Sequence, residues 1–394
     1  MLRPPLDELD RLMREHAIDA VVVPLHETMH SAFRWMTRGA NLTKGFAVRV
    51  AGRETLLIAY PMERDEAAAS GLSWRGVADF DHDGIFRDAP DPPIAYGRFF
   101  DRILHDLHSG PRISIEGHAP LPLYLGIAHE LEKLGWSVVR HAEDLIQLAR
   151  KRKSDWEIAQ IRSVGERTEQ VIDGVREILR SRAGDLTIGD IKRFISAGIV
   201  RRGMIEDHET IVAQGRDAGV PHSRGDASAP FRESVPLVID IFPADRATGY
   251  FFDLTRTFCV GPVPDELRRI HADVLDAFEK ARDAMKPGTP ASSYQTLVCN
   301  LFEARGYPTT RSNPGTTAGY VHALGHGVGL DLHERPSFSL AATNDDLVEV
   351  DDVLTIEPGL YFPDLDLGVR IEDTFVVREG GVETLCRGRY DLAP

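Results

Sequence analysis

An α/β fold in two parts is predicted for this chain, on three observations. Its 394 residues exceed what a single core usually organises. Residues 1–148 alternate short β-rich runs with helical stretches, whereas residues 149–394 open on one long amphipathic helix. Within the second part a helix–helix–strand order occurs twice, with similar lengths rather than similar residues.

The first part starts with an amphipathic helix over Leu6–His16 and the strand DAVVVPLH (19–26). FAVRVAG and ETLLIAYPM read as strands around a Gly52-Arg53 turn, since β-branched and apolar runs flank a turn former. ISIEGH (113–118), a helix over Leu121–Leu134 and the strand SVVRH (137–141) follow. No catalytic cluster is visible in this part.

The boundary falls near residue 150, where KRKSD marks a linker or helix start. Ile158, Ile161, Val164, Val171, Ile172, Val175, Ile178 and Leu179 then recur at helical spacing, with Ser154 or Asp155 as the N-cap. This helix (156–181) and AGDLTIGDIKRFISAGIVRRG lead into strands bearing Asp240 and Asp253. A helix over 265–285 and PGTPASSYQTLVCNLFEARG lead in turn to His326, Glu357 and Glu372.

Those five residues sit inside apolar strings: VIDIFP, GYFFDLTRTF, HALGHGVGL, LTIEPGLY and VRIEDTF. Ionised carboxylates are rarely buried unless paired or bound to metal, because losing their water costs several kcal/mol each. PLVIDIFP (236–243) and YFFDLTRTF (250–258) flank the polar ADRATG, and a loop closed by Pro243 and Tyr250 sets Asp240 directly opposite Asp253. VLTIEPGLYF (353–362) and LGVRIEDTFVV (367–377) flank PDLD, and a four-residue loop sets Glu357 opposite Glu372. Like charges facing each other across a sheet are unfavourable, so a cation is expected between the partners. Four carboxylates carry about −4, and two divalent cations with a bridging hydroxide bring the site near neutral. Oxygen-rich ligation with one imidazole suits Mn, Co, Fe or Zn.

Asp240 with Asp253-Leu-Thr-Arg-Thr, His322-Ala-Leu-Gly-His326-Gly-Val-Gly, Glu357-Pro-Gly-Leu-Tyr361 and Arg370-Ile-Glu372-Asp resemble the motifs of the pita-bread metallopeptidases. The resemblance lies with the Xaa-Pro dipeptidase (prolidase) and aminopeptidase P branch. It implies a creatinase-like α/β domain over 1–148 and a pita-bread catalytic domain over 149–394, a pseudo-twofold curved antiparallel sheet covered by helices. It also implies a homodimer and two divalent ions held by Asp240, Asp253, His326, Glu357 and Glu372, Mn2+ first, with Co2+ or Zn2+ as alternatives. The segment between the two aspartates is longer than the family's, so ADRATG is expected to reshape the pocket rim.

The activity implied is hydrolysis of the Xaa-Pro bond in dipeptides or short peptides, with proline second, by a metal-bridging water. Glu357 would take the water's proton and pass it to the leaving nitrogen. His222, in a Gly-rich loop, matches a histidine that contacts the substrate carbonyl or the oxyanion; its other reading is an exposed loop histidine. His333 matches an active-site histidine that meets either substrate or a ligand carboxylate. His322 reads as a substrate-pocket residue or a core histidine. Arg370 shares a face with Glu372 and either supports the acidic site or binds a substrate carboxylate. Tyr361 either packs or joins the pocket. Phe251, Phe252, Phe258, Phe338 and Phe362 wall a proline slot or fill the sheet core. The remaining histidines, His208 and His271 among them, are read as surface or core. Two rival functions stay open on the same fold: a metal-dependent hydrolase of a nonpeptide amide or compatible solute, and a catalytically silent binding module, which should have lost ligands.

A net charge of −15 without a large Lys/Arg cluster argues against nucleic-acid or anionic-membrane binding. Cys259, Cys299 and Cys386 are odd in number and far apart, which suits buried thiols in a reducing cytoplasm. The charged start of the chain and the lack of any run of about eighteen apolar residues lead us to expect a soluble, unexported protein.

Overall fold

Ser154 starts the long helix Asp155–Arg182 with a reciprocal cap. The Glu157 amide donates to Ser154 Oγ at 3.4 Å, and the Ser154 amide donates to Glu157 Oε2 at 2.7 Å. The computed structural model describes residues 5–26, 28–140, 144–386 and 388–394, so His141, the end of the expected SVVRH strand, lies outside the described residues. The chain divides into two compact units, Met1–Arg150 and Lys151–Pro394.

In the first unit six strands form one mixed sheet in the order Ser73–Gly76, Leu56–Ala59, Lys44–Val50, Ala20–His26, Arg112–Ile115 and Ser137–Val138. Phe46, Phe99, Phe100, Ile113 and Leu131 are fully or almost fully buried in its core. Phe99, Phe100, Ile103 and Leu104 of that core come from a helix absent from the sequence reading, Pro92–Asp106. Its N-cap, Asp91, accepts from the Ile94 amide at 2.9 Å, and its proline pair occupies the first turn, where no amide hydrogen is needed.

The second unit carries the doubled order. Helices Asp155–Arg182 and Ile188–Arg201 precede an antiparallel sheet of Ile211–Gln214, Leu237–Ile241 and Leu254–Phe258. Helices Asp265–Ala284 and Ala291–Ala304 precede a second antiparallel sheet, ordered Glu334–Ser337, His326–Gly327, Val353–Ile356, Asp373–Arg378, Gly381–Thr384. Among the described residues, one β-bridge, Thr255 to Glu372, ties the two sheets together. The helix glycine Gly165 lets Phe252 seat against the long helix: a Cβ there would lie 2.5 Å from the ring. That contact anchors the backbone one residue before Asp253.

One of the two hairpins keeps the expected register and the other does not. On the second, Ile356 faces Asp373 and Gly359 faces Arg370, so the expected register holds on both sides of Glu357 and Glu372. On the first, Asp240 pairs with Thr255 rather than Asp253, a shift of two residues. The ladder continues past Pro243, with Ala244 bridging Phe251 and the Asp245 amide donating to the Tyr250 carbonyl at 2.9 Å. Asp245 Oδ1 accepts the Ala247 and Thr248 amides at 3.0 and 2.7 Å, which tightens the turn to 246–249. A slip of two, unlike a slip of one, leaves both aspartates on the same face.

Candidate metal centre

Four strand segments converge on one cavity of about 530 Å³, within the range of about 300–1,000 Å³ typical of small-ligand sites. Nine of the ten residues singled out from the sequence line it: Asp240, Asp253, His326, Glu357, Glu372, His222, His322, His333 and Arg370. Tyr361 lies behind them, fully buried.

His326 reaches its place because glycines flank it. A Cβ on Gly327 would lie 1.9 Å from the Arg335 carbonyl, and one on Gly325 would lie 2.2 Å from that of Thr355. The His326 amide donates to Thr355 Oγ1 at 3.1 Å, and its Nδ1 lies 3.1 Å from the Gly327 carbonyl. A carbonyl only accepts, so Nδ1 carries the proton and Nε2 presents its lone pair. That lone pair faces acceptors: Asp253 Oδ2 at 3.6 Å and Glu357 Oε1 at 3.4 Å. Burial, then neighbouring His333, holds the His326 pKa down to about 3, so the ring is neutral at physiological pH. Neutral imidazole is the form that ligates metal.

The carboxylates are equally exposed to one another's charge. Burial, then Asp240 and Glu357, pushes Asp253 well above the usual carboxylate range. Burial, then Asp253 and Glu357, does the same to Glu372. Burial lifts Glu357 to about 8, against the opposing pull of Arg370. Asp240 Oδ1, Asp253 Oδ1 and Glu372 Oε1 are buried and accept no hydrogen bond. One ligand atom each from Asp253, His326 and Glu372 lies within 4.8 Å of the others. Three orphaned carboxylate oxygens and a free imidazole lone pair fit divalent cations.

Arg370 is the counterweight. Its Nη2 donates to Asp240 Oδ2 at 2.6 Å, its Nε to Thr255 Oγ1 at 3.1 Å, and its Nη1 to Tyr361 Oη at 2.9 Å and the Pro221 carbonyl at 3.2 Å. Tyr361 Oη lies 2.8 Å from His322 Nε2, whose Nδ1 donates to the Ala323 carbonyl at 2.7 Å. With Nδ1 protonated, His322 Nε2 accepts from Tyr361 and has no lone pair left for a cation. Each of the Arg370 side-chain nitrogens donates within the protein, which ties the guanidinium into the acidic site.

The phenylalanines take the second of their two readings. Phe251, Phe252, Phe258, Phe338 and Phe362 do not line the cavity; apart from the partly buried Phe362 they are core. Phe252 and Phe258 fall at positions opposite in parity to Asp253 and Thr255, and both pack into the core. The apolar wall comes instead from Ile211, Pro221, Phe242 and Leu332. The enlarged turn 246–249 contributes nothing to the cavity lining, because its ladder carries it away from the strand ends. His208, read as surface or core, is a rim residue. Thr255, hidden as an ordinary β-former, is fully buried between Arg370 and Glu372.

The model of metallopeptidase family M24 matches residues 159–379. The chain belongs to that family. A Xaa-Pro dipeptidase of Pyrococcus furiosus is 30% identical over 305 residues, covering 76% of this chain and 80% of the relative. Among solved structures, a Xaa-Pro dipeptidase from Bacillus anthracis superposes with a TM-score of 0.79 at 20% identity, over 98% of this chain and 99% of the other. An X-Pro aminopeptidase from Thermotoga maritima gives 0.77 at 23% identity, over 97% and 99%. Family membership makes the protein a metallopeptidase with the pita-bread fold, and divalent metal belongs to its chemistry. Among the described residues, no helix is long and apolar enough to cross a membrane.

Proposed function

We propose that residues 149–394 hydrolyse the bond between an N-terminal residue and proline in short peptides. In this reading Asp240, Asp253, His326, Glu357 and Glu372 hold two divalent ions, with Mn2+ as the first choice. One observation carries it: a neutral imidazole lone pair and three unpartnered carboxylate oxygens, all buried, converge on one cavity. Bound there, the ions would supply an activated water and polarise the scissile carbonyl.

The chain's own groups do the rest. Glu357, lining the cavity beside His326, accepts a proton and returns it to the departing nitrogen. His222 and His333 line the same cavity and can donate to the carbonyl oxygen as charge builds on it. Ile211, Phe242 and Leu332 offer the apolar surface a proline ring requires. A Xaa-Pro substrate is favoured over a nonpeptide amide by the activities of the relatives, two dipeptidases and an aminopeptidase. A silent binding module is disfavoured by the complete donor set.

Assaying Ala-Pro, Ala-Pro-Ala and Ala-Ala side by side, after chelation and again with Mn2+ restored, tests the proposal. Cleavage of the proline peptides that vanishes with chelation and returns with Mn2+ is expected. Cleavage of Ala-Ala at the same rate, or full activity after exhaustive chelation, contradicts it.

A further inference from the structure

Thr255 occupies the position where the two sheets meet. It pairs with Asp240 across one strand edge and bridges to Glu372 across the other, the Glu372 amide donating to its carbonyl at 3.2 Å. Its side chain is fully buried and makes two hydrogen bonds. Arg370 Nε donates to Thr255 Oγ1 at 3.1 Å, and Thr255 Oγ1 donates to Glu372 Oε2 at 2.7 Å. A hydroxyl has one proton. With its oxygen already accepting from the guanidinium, that proton is directed at Glu372, which leaves Oε1 as the unpartnered oxygen.

The same arginine donates directly to Asp240 Oδ2 and leaves Asp240 Oδ1 unpartnered. Two carboxylates are therefore turned in the same way, one oxygen pinned and one free, by a single guanidinium. One of the pins is the arginine itself and the other is Thr255. Thr257 completes the arrangement: its Oγ1 donates to the Arg370 carbonyl at 2.9 Å and accepts from the Arg370 amide at 3.1 Å, which holds the backbone from which the guanidinium extends.

We infer that Thr255 is a positioning residue for the metal centre: it relays the Arg370 guanidinium to Glu372 and orients that carboxylate so that one oxygen faces a divalent cation. The inference rests on the metal-ligand reading given above. Groups that orient metal ligands in this way typically change metal affinity about 10–100-fold when removed.

The test compares T255S with T255A, which differ by one hydroxyl. Mn2+ affinity and stoichiometry are measured by titration calorimetry on protein stripped of metal, with circular dichroism confirming the fold. T255S is expected to bind within about threefold of wild type, whereas T255A binds about 10–100-fold more weakly. With Ala-Pro as substrate, kcat of T255A at limiting Mn2+ is expected to fall and to recover towards T255S at saturating Mn2+, with KM little changed. Equal Mn2+ affinities in the folded Ser and Ala variants overturn the inference. If T255A does not fold, the near-isosteric T255V takes its place with the same two outcomes. Wild-type protein that binds no divalent ion contradicts the metal reading itself, so the two failures are told apart.

Discussion

Each unit buries carboxylate, and they treat it differently. In the first unit Glu116 is almost fully buried, yet both oxygens are occupied: Ser114 Oγ donates to Oε1 at 3.0 Å and the Ile146 amide to Oε2 at 2.8 Å. Burial raises its pKa to about 7, and those donors limit the rise. In the second unit Asp240, Asp253 and Glu372 each keep one buried oxygen without a donor, beside an imidazole that also offers a lone pair. A buried acid alone therefore says little about metal. Unsatisfied acceptors gathered without a matching set of donors point to a cation.

Glu357→Gln attacks the second cluster hardest. It is expected to lower kcat for Ala-Pro by about 10²–10⁴-fold, measured at saturating Mn2+. Activity within a few-fold of wild type would remove Glu357 from proton transfer. A pH titration of the metal-free protein comes next in size. Asp253, Glu357 and Glu372 all have folded pKa values above their unfolded ones, so between the two the folded state holds more protons. Stability must then fall as pH rises from about 5 through about 8, by several kcal/mol in denaturant melts, and Mn2+ should flatten that fall. A metal-free protein as stable at pH 9 as at pH 5 contradicts the crowding of charge.

Asp253→Asn sharpens the contrast, because it removes one charge from a repulsive cluster. Metal-free D253N is expected to melt a few degrees above metal-free wild type, for about 1–2 kcal/mol of relief, and to lose most of the Mn2+-induced rise in Tm. A lower metal-free Tm would mean that Asp253 is already well paired. Glu116→Gln carries the comparison to the first unit. Its amide can donate to Ser114 Oγ while its oxygen accepts the Ile146 amide, so the fold is retained. Wild type loses stability as pH rises from the usual carboxylate range through about 7, and the variant should lack that loss, worth about 1–3 kcal/mol above pH 7. Mn2+ should leave this difference unchanged.

The gathering of Asp240, Asp253, His326, Glu357 and Glu372 around one cavity was readable before the structure because charged residues stood in strings too apolar for a surface. The Glu357–Glu372 register was readable as well, since PDLD closes as a short turn with Asp366 left-handed at φ 53°. The Asp240–Asp253 register was misjudged by two residues because Asp245 folds its own side chain back onto the turn amides, a local bond that composition does not announce. Period two rescued the facing relation. The helix Pro92–Asp106 was hidden by its Pro-Pro start, which reads as a loop unless Asp91 is recognised as the cap. Thr255 was invisible for a different reason: threonine is expected in any strand, and only its two partners mark it out.

Equilibrium dialysis of metal-stripped protein against Mn2+, comparing wild type with an Asp253→Asn/Glu372→Gln double variant, bears most directly on the unsatisfied oxygens. Two ions per wild-type chain, with loss of at least one in the double variant, is the predicted result. Equal binding by the two proteins, or none by wild type, would contradict the assignment of those oxygens to a cation.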